Sequence, residues 1–488
     1  MVVQARGGRE SYRGKHRGSA NGRMTGQAWR SLAQMASTYA VIVAVGTLIW
    51  WNAHLALILG LTAAAVFCFV LGSTETYWRN YSWWTPDSME SIAWPSPVPA
   101  SSAGLYWSMV APALDESANI EATINQLVCQ DHPHFEVVVS LCSCDTATIQ
   151  AVRRAEAKYP DLVRPVIGDH REFRRHRKAY QLNRAIATVR TDDEHIVLIA
   201  DAEGGVQPAL LRHMEAVFKE ENCDVVQGGV QLMNLGRWFQ VFAAMEYAAW
   251  FEGNMARQAN QGVVLFGGNT IAFTTSHLAQ IGGIPDSLTE DGAAGIRSAL
   301  AGAKVAVCYS PELCTRELSP PTLFNKQLGS LFFQRVRWVQ GYFNELVEGH
   351  WLKLPTWSQR RSAGFGLASP VLQSVSSFLL PLAIVTALTV KVPLILALAA
   401  FAPLVPYSLT IWAQAMHLGN FGRRFEQEVR LRHYLTIIFL SPLYQLILMG
   451  ASAVAVCRHL TGRGDWYKTG REHDQTETVL TGAASASA

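Results

Sequence analysis

The eight cysteines of this 488-residue chain include no C-x-x-C pair. Cys142-Ser143-Cys144 has neither a second cysteine cluster nor a histidine pattern to complete a zinc site, so reduced cytosolic thiols are the expectation. Charge is scarce as well: Asp, Glu, Lys and Arg make up 16% of the residues and mean hydropathy is +0.11, both unusual for a wholly soluble enzyme. No cleavable signal peptide is expected, because the first apolar run begins too far in and a second run follows it closely. Acidic residues are nearly missing from positions 1–30, where Arg6, Arg9, Arg13, Lys15, Arg17, Arg23 and Arg30 face Glu10 alone. That Gly-rich tail is expected to be disordered. It lacks a run of aromatics interleaved with its arginines, so no nucleic-acid partner is expected, and a positive tail before a first span predicts a cytoplasmic N-terminus.

The apolar residues concentrate in Tyr39–Leu71 and Leu367–Cys457. A helix needs about 20 residues to cross a bilayer. Tyr39–Trp51 and Leu55–Leu71 flank Asn52-Ala53-His54, which would be costly in mid-bilayer, so a membrane hairpin over 31–75 is preferred to one long tilted helix. Trp78, Trp83, Trp84, Trp94 and Trp107 mark 76–107 as an interfacial linker. Near the other end, Leu367–Val390, Val392–Trp412 and Tyr434–Cys457 are each long enough to span, within a membrane region over 365–460. The basic residues around 423–432 and those after 457 cannot both be cytoplasmic if the last run crosses once. A multi-pass protein of the cell membrane is the resulting expectation, with an interfacial segment over 346–364 and a polar tail over 461–488.

Between these regions the periodicity alternates. Strands are expected at Ser108–Ala111, Phe135–Leu141, Ile196–Ala200, Val225–Gly228 and Val263–Phe266, and helices at Asn119–Cys129, Thr146–Lys158, Pro208–Glu220 and Ala293–Ala301. This alternation predicts an α/β, Rossmann-like domain over 108–345 with a mostly parallel sheet, inserted between helical transmembrane segments. Such sheets bind ligands at the carboxyl ends of their strands.

Three short motifs follow in order: Asp201-Ala202-Glu203 after an apolar strand, Thr289-Glu290-Asp291 before a helix, and Gln334-Arg335-Val336-Arg337-Trp338 just ahead of the last apolar region. Each alone has an ordinary reading: an acidic loop, a helix N-cap, an amphipathic interfacial helix. Together they resemble the membrane-integrated family 2 glycosyltransferases, the group of cellulose, hyaluronan and poly-N-acetylglucosamine synthases. The resemblance covers roughly 108–341 and implies a GT-A-type catalytic domain facing the cytoplasm. It implies inverting transfer from a nucleotide sugar, most naturally a UDP-sugar, to a growing β-linked polysaccharide, with export coupled to synthesis. Single transfer to a lipid-linked acceptor, and an inactive scaffold that keeps the fold, are the alternatives. The partners are therefore a nucleotide-sugar donor, a glycan or lipid-linked acceptor, and the bilayer.

Roles follow from the matching positions. Departure of a nucleoside diphosphate develops negative charge, which Mg²⁺ or Mn²⁺ on Asp201 and Glu203 would neutralise. Asp291, beside Glu290, is the expected base for the acceptor hydroxyl. Arg337 offers a fork of donors to diphosphate oxygens. Trp338 offers a flat face to a sugar ring, and Gln334, one turn earlier, faces the same cavity as part of the acceptor site. Pro112-Ala113-Leu114-Asp115-Glu116 resembles the family's first-strand motif and assigns Asp115 and Glu116 to the donor. Lys178, in Lys178-Ala179-Tyr180-Gln181-Leu182-Asn183, is a diphosphate candidate. The nearby Arg171, Arg174, Arg175 and Arg177 read as a solvated or membrane-surface patch. Gly268, in Gly267-Gly268-Asn269, resembles the glycine-rich turn below the acceptor. Two positions depart from the family pattern. Glu203 replaces the usual second Asp, and the paired Asp after the strand Phe135–Leu141 is missing, leaving Asp145 as a substitute.

Overall fold

The computed structural model describes residues 36–47 except 38, residues 52–80, and residues 96–463 except 192, 193 and 203. The basic tail, Glu203, the tryptophans of 81–95 and the tail after 463 therefore lie outside the described residues. Residues 1–61 and 62–488 form two compact units. In the first, residues 39–47 are helical, and helix α1 (Ala53–Arg79) begins after Asn52, whose Oδ1 accepts from Leu55 N at 3.2 Å.

α1 runs past the expected end at Leu71. Its last two turns belong to the second unit and are packed within it. Trp78 is buried under the Arg257 guanidinium, 3.5 Å from its ring centroid, and Glu75 pairs with Arg79 at 3.2 Å. The end of α1 sits hard against a π-helical turn, Trp250–Met255. A Cβ on Gly253 would lie 1.8 Å from the Arg79 carbonyl oxygen, so glycine is required there.

The second unit contains strands β1 (Tyr106–Ala113), β2 (Phe135–Cys142), β3 (Val163–Gly168), β4 (His195–Ile199), β5 (Val225–Gln227), β6 (Gly229–Leu232), β7 (Ile271–Thr274), β8 (Val305–Val307) and β9 (Cys314–Glu317). Seven form one sheet in the order β3-β2-β1-β4-β7-β5-β8, parallel except for β7, while β6 pairs with β9. Both faces are covered. Trp107, Met109 and Ala111 enter one core and Val110 the other, which is why these strands read as unbroken apolar runs. The covering helices are α2 (Ile120–Leu127), α3 (Thr146–Lys158), α4 (His170–Ile186), α5 (Leu210–Glu221), α6 (Trp238–Ala249), α7 (Ala256–Asn260), α8 (Thr275–Gln280) and α9 (Glu290–Leu300). The expected strand Val263–Phe266 is buried but pairs with no strand among the described residues. Its Val264 carbonyl lies where a Cβ on Gly295 of α9 would stand, 1.9 Å away, and Leu265 N donates to the Gln258 side chain at 2.7 Å. The pairing strand is β7, a few residues later.

Helix α10 (Leu331–Glu348) opens on Ser330, whose hydroxyl accepts from Phe333 N at 3.3 Å. It leads to α11 (Trp357–Thr389), α12 (Leu394–Ala399), α13 (Leu404–Arg424) and α14 (Leu431–Leu460). α11 starts ten residues before the expected Leu367, because Thr356 and Gln359 form a capping box. Among the described residues, four helical stretches are long and apolar enough to cross a membrane: Leu55–Arg79, Trp357–Thr389, Leu394–Arg424 and Leu431–Leu460. Leu388, Leu394 and Phe439 expose 70–73% of their surface, an arrangement suited to lipid rather than water.

Candidate active site

The sheet topology brings three loops together. β1 and β4 are parallel neighbours with Val110 opposite Ile199, so both end at the same edge. β7 runs against β4 with Ile271 opposite Ile199, so it begins there. The segments after β1, after β4 and before β7 thus share one edge. Asn269 ties the last two of these and β9: its Oδ1 accepts from Asp201 N at 3.0 Å, and its Nδ2 donates to Glu317 Oε1 at 2.7 Å. A cavity of about 150 Å³ opens at this place, lined by Glu116, Lys178, Asp201, Gly268, Glu290, Asp291, Gln334, Arg337 and Trp338 among others.

Lys178 projects from α4 into the acidic side of this cavity. Its Nζ lies 2.8 Å from Asp201 Oδ1, 3.3 Å from Glu290 Oε1 and 3.2 Å from the Gly268 carbonyl. Surrounding protein works to lower the lysine's pKa, but Asp201, Glu290 and Asp291 outweigh it and hold the ammonium charged well above its usual range. A cation therefore already sits between two carboxylates. This donor set of hard oxygens fits Mg²⁺ or Mn²⁺, with Asp201 and Glu290 as the described residues that would hold it.

Asp291 stands in the first turn of α9, and Gly292 N donates to its Oδ1 at 2.9 Å. Its Oδ2 lies over Gly268, where an added Cβ would come within 2.8 Å, and Gly268 has φ +82°; both facts demand glycine. One side of the carboxyl opens to the cavity. Protein enclosing the other sides, and then the neighbouring Glu290 charge, raise its pKa to about 7, against the pull of Gly292 N–H, Lys178 and Arg337. Thr289 occupies the N-cap position of α9 but makes no side-chain cap bond. It packs instead against Gly341 of α10, where a Cβ would lie 2.5 Å from Thr289 Cγ2.

Gln334, Arg337 and Trp338 share one face of α10 and line the cavity. Arg335, not singled out from the sequence, fixes this face. Its guanidinium lies 4.2 Å from the Trp338 ring centroid, donates to Gln334 Oε1 at 3.1 Å, and pairs with Glu246 Oε2 at 2.7 Å. Tyr444 of α14 donates to the same Glu246 oxygen at 3.0 Å. A second cavity, about 230 Å³, shares Tyr247, Gly267, Thr289, Asp291 and Trp338 with the first and extends toward α11 and α14.

Other candidates sit elsewhere. Asp145 caps α3, its Oδ1 accepting from Thr148 N at 3.1 Å and its Oδ2 from Asp115 N at 2.6 Å. Neither Asp115 nor Asp145 lines the cavity, whereas Glu116 does. Beside Asp145, Cys142 and Cys144 are joined as a disulfide, and His170 Nδ1 lies 3.8 Å from Cys142 Sγ. The expectation of free thiols is corrected for this pair, which loop geometry brings to bonding distance. Asn269, Glu317, Tyr247, Arg335 and Glu246 were not assigned from the sequence. The Glu246–Arg335 pair spans 89 positions and leaves no local pattern, whereas Asn269 stands inside a recognised motif.

Residues 106–341 match the family described as glycosyltransferase like family 2. They are a glycosyltransferase family 2-like domain. No curated protein matches the chain in sequence. Among solved structures, the chain is similar to the mannosyltransferase PcManGT from Pyrobaculum calidifontis in complex with GDP-Man and Mn²⁺, with 18% identity and a TM-score of 0.52, over 83% of this chain and 100% of that one. S. aureus TarS 1–349 in complex with UDP-GlcNAc aligns with 14% identity and a TM-score of 0.35, over 74% of this chain and 93% of that one. The likeness to PcManGT shows a common fold, and the family 2-like domain is of GT-A type with a mostly parallel central sheet.

Proposed function

We propose that the chain is an inverting glycosyltransferase that moves a sugar from a nucleotide donor, a UDP-sugar by the sequence resemblance, to a glycan hydroxyl arriving from the membrane side. The supporting observation is the position of Asp291, on the wall shared by a charged cavity and one that leads toward the membrane helices. The donor diphosphate lies in the first cavity against Arg337 and Lys178, and the acceptor rests on Trp338 from the second. The acceptor hydroxyl gives its proton to the Asp291 carboxylate while its oxygen bonds to the anomeric carbon. The bond from that carbon to the diphosphate breaks, the electron pair leaves with phosphate, and one displacement yields a β-linkage. A divalent cation on Asp201 and Glu290, joined by Glu203, would neutralise the departing charge. Mn²⁺ accompanies GDP-Man in PcManGT, which supports this reading.

Repeated addition is the form the Q-x-x-R-W resemblance favours. The test incubates the purified chain with labelled UDP- and GDP-sugars and sizes the products. Donor turnover by the parent and none by Asp291→Asn, with donor binding kept, is the expected outcome. A parent that binds donor but never transfers or hydrolyses any sugar would refute it.

A further inference from the structure

The cavity beside Asp291 does not end at the domain. It shares Glu75, Arg79, Gln373 and Gln445 with a third cavity of about 480 Å³ that lies among α1, α11, α13 and α14. Along α1 the lining passes from Arg79 and Glu75 to Gly72, Leu71 and Cys68. Along α11 it passes from Gln373 to Leu380, Ile384 and Val385. Both helices leave the domain in these directions, and both are long and apolar enough to span a bilayer. The void thus changes from charged to apolar as it enters the spans.

The inner lining is poorly suited to a sugar chain. Glycans are held by aromatic faces and by polar groups free to exchange hydrogen bonds. Among the described residues lining the inner cavity, Tyr407 is the one aromatic, and its hydroxyl donates to Ser441 Oγ at 3.3 Å. The hydroxyls of Ser377 and Thr410 donate to carbonyls of their own helices, Gln373 O at 2.8 Å and Pro406 O at 2.9 Å. Gln373, Ser376, Gln414 and Gln445 also reach the lining, but Leu71, Leu380, Ile384, Val385, Ile411 and Leu446 make most of its wall hydrocarbon. The junction is different. Arg79 gives its Nε to Glu75 at 3.2 Å, and the other carboxylate oxygen, Glu75 Oε1, is buried and accepts no hydrogen bond from any described residue. A guanidinium suits a phosphate, and a lone buried acceptor suits a hydroxyl donor.

We infer that the acceptor is a phosphate-linked sugar on a long-chain lipid: the sugar hydroxyl at Asp291, the phosphate at Arg79, and the hydrocarbon chain in the inner cavity. This rests on the glycosyltransferase reading of the site and names its acceptor class. No new chemistry is involved. The hydroxyl proton goes to Asp291, the glycosidic bond forms at the acceptor oxygen, and the lipid phosphate linkage stays intact.

The test uses the full chain in a short-chain detergent, with a panel of UDP- and GDP-sugars as donors. The acceptor probes are glucosyl-, mannosyl- and N-acetylglucosaminyl-phosphates on C10 and C55 isoprenoid chains. A C55 acceptor should have a KM at least about tenfold below its C10 counterpart, since each buried methylene contributes. Ile384→Trp fills the inner cavity and should erase that difference while donor binding stays as in the parent; Ser377→Phe is the second filling variant should the first fail to fold. Arg79→Gln should raise KM for both chain lengths. Equal use of C10 and C55, an unchanged C55 preference in the filled variants, or transfer solely to free oligosaccharides would overturn the inference while leaving the transferase reading standing. Absence of any donor turnover would overturn both.

Discussion

Gly341 is the seat of Thr289: a Cβ on the glycine would stand 2.5 Å from Thr289 Cγ2 and 2.6 Å from its Oγ1. This contact locks the Q-x-x-R-W helix against the turn that carries Glu290 and Asp291, so two motifs 43 positions apart act as one wall of the site. Gly341→Ala should push them apart. Overpacking of this kind costs about 1–3 kcal/mol. Transfer should fall far more than donor binding, read by single-turnover kinetics and calorimetry on the same preparation. A variant with parental turnover would show the contact to be slack.

Asp291 sets a pH profile. Its carboxyl is raised to about 7, first by the surrounding protein and then by Glu290. Because the base works ionised, kcat should climb as pH rises through about 7 and level off above. Asp291→Asn should lose about 10²–10⁴ in rate and with it the pH step. The sign for stability is opposite. A raised acid pKa means that the fold holds the proton more tightly than the unfolded chain, so this contribution is full below the ordinary carboxylate pKa of about 4 and fades toward 7. Asp291→Asn should therefore raise Tm at pH 8 relative to the parent, with the gain shrinking toward pH 4. A gain independent of pH would contradict the shift.

Lys178 neutralises Asp201 and Glu290. Lys178→Met leaves two carboxylates facing each other across the cavity without their ammonium. The variant should bind donor weakly at micromolar Mn²⁺ and regain binding at millimolar Mn²⁺, followed by titration of a fluorescent nucleotide. Identical metal dependence in parent and variant would separate the lysine from the metal position.

Arg335 should act through Trp338 rather than on the donor. Arg335→Met removes the ring's cationic partner and leaves Glu246 with Tyr444 alone. The expected result is a raised KM for acceptor with an unchanged donor Kd. A matching loss of donor affinity would place Arg335 in the donor site instead.

The domain should face the cytoplasm. Ala157→Cys and Glu220→Cys lie at exposed positions of the family 2-like domain. Both should resist membrane-impermeant thiol reagents in intact cells and react after lysis. Prompt labelling of whole cells would reverse the topology.

Much of the architecture was legible because burial leaves a period in the sequence. Thr146–Lys158 was read with both ends correct, since Asp145 and the apolar stripe mark a helix plainly. Asp201 could be placed at a strand end because Ile196–Ala200 is wholly apolar. Val263–Phe266 misled for the same reason: four buried apolar residues look like a strand whether they pair with β7 or lie against Gly295. The end of α1 was illegible because its last two turns are held by Arg257 and Gly253, some 180 positions away. Motif order singled out Asp291, Arg337 and Trp338, which line one cavity. What orients them, Arg335 against Glu246 and Gly341 against Thr289, depends on contacts between distant segments and left no local pattern. Asp145, offered to the donor by sequence position, caps α3 in the fold.

The close seat of Arg79 on Gly253 joins the end of α1, a helix long and apolar enough to cross a membrane, to a wall of the cavity beside Asp291, since Trp250, Phe251 and Asn254 of the same π-helical turn line that cavity. Helices accommodate bilayers of different thickness by tilting. Through this contact a change in the tilt of α1 would reach the Trp250–Met255 turn, and with it one wall of the cavity beside Asp291.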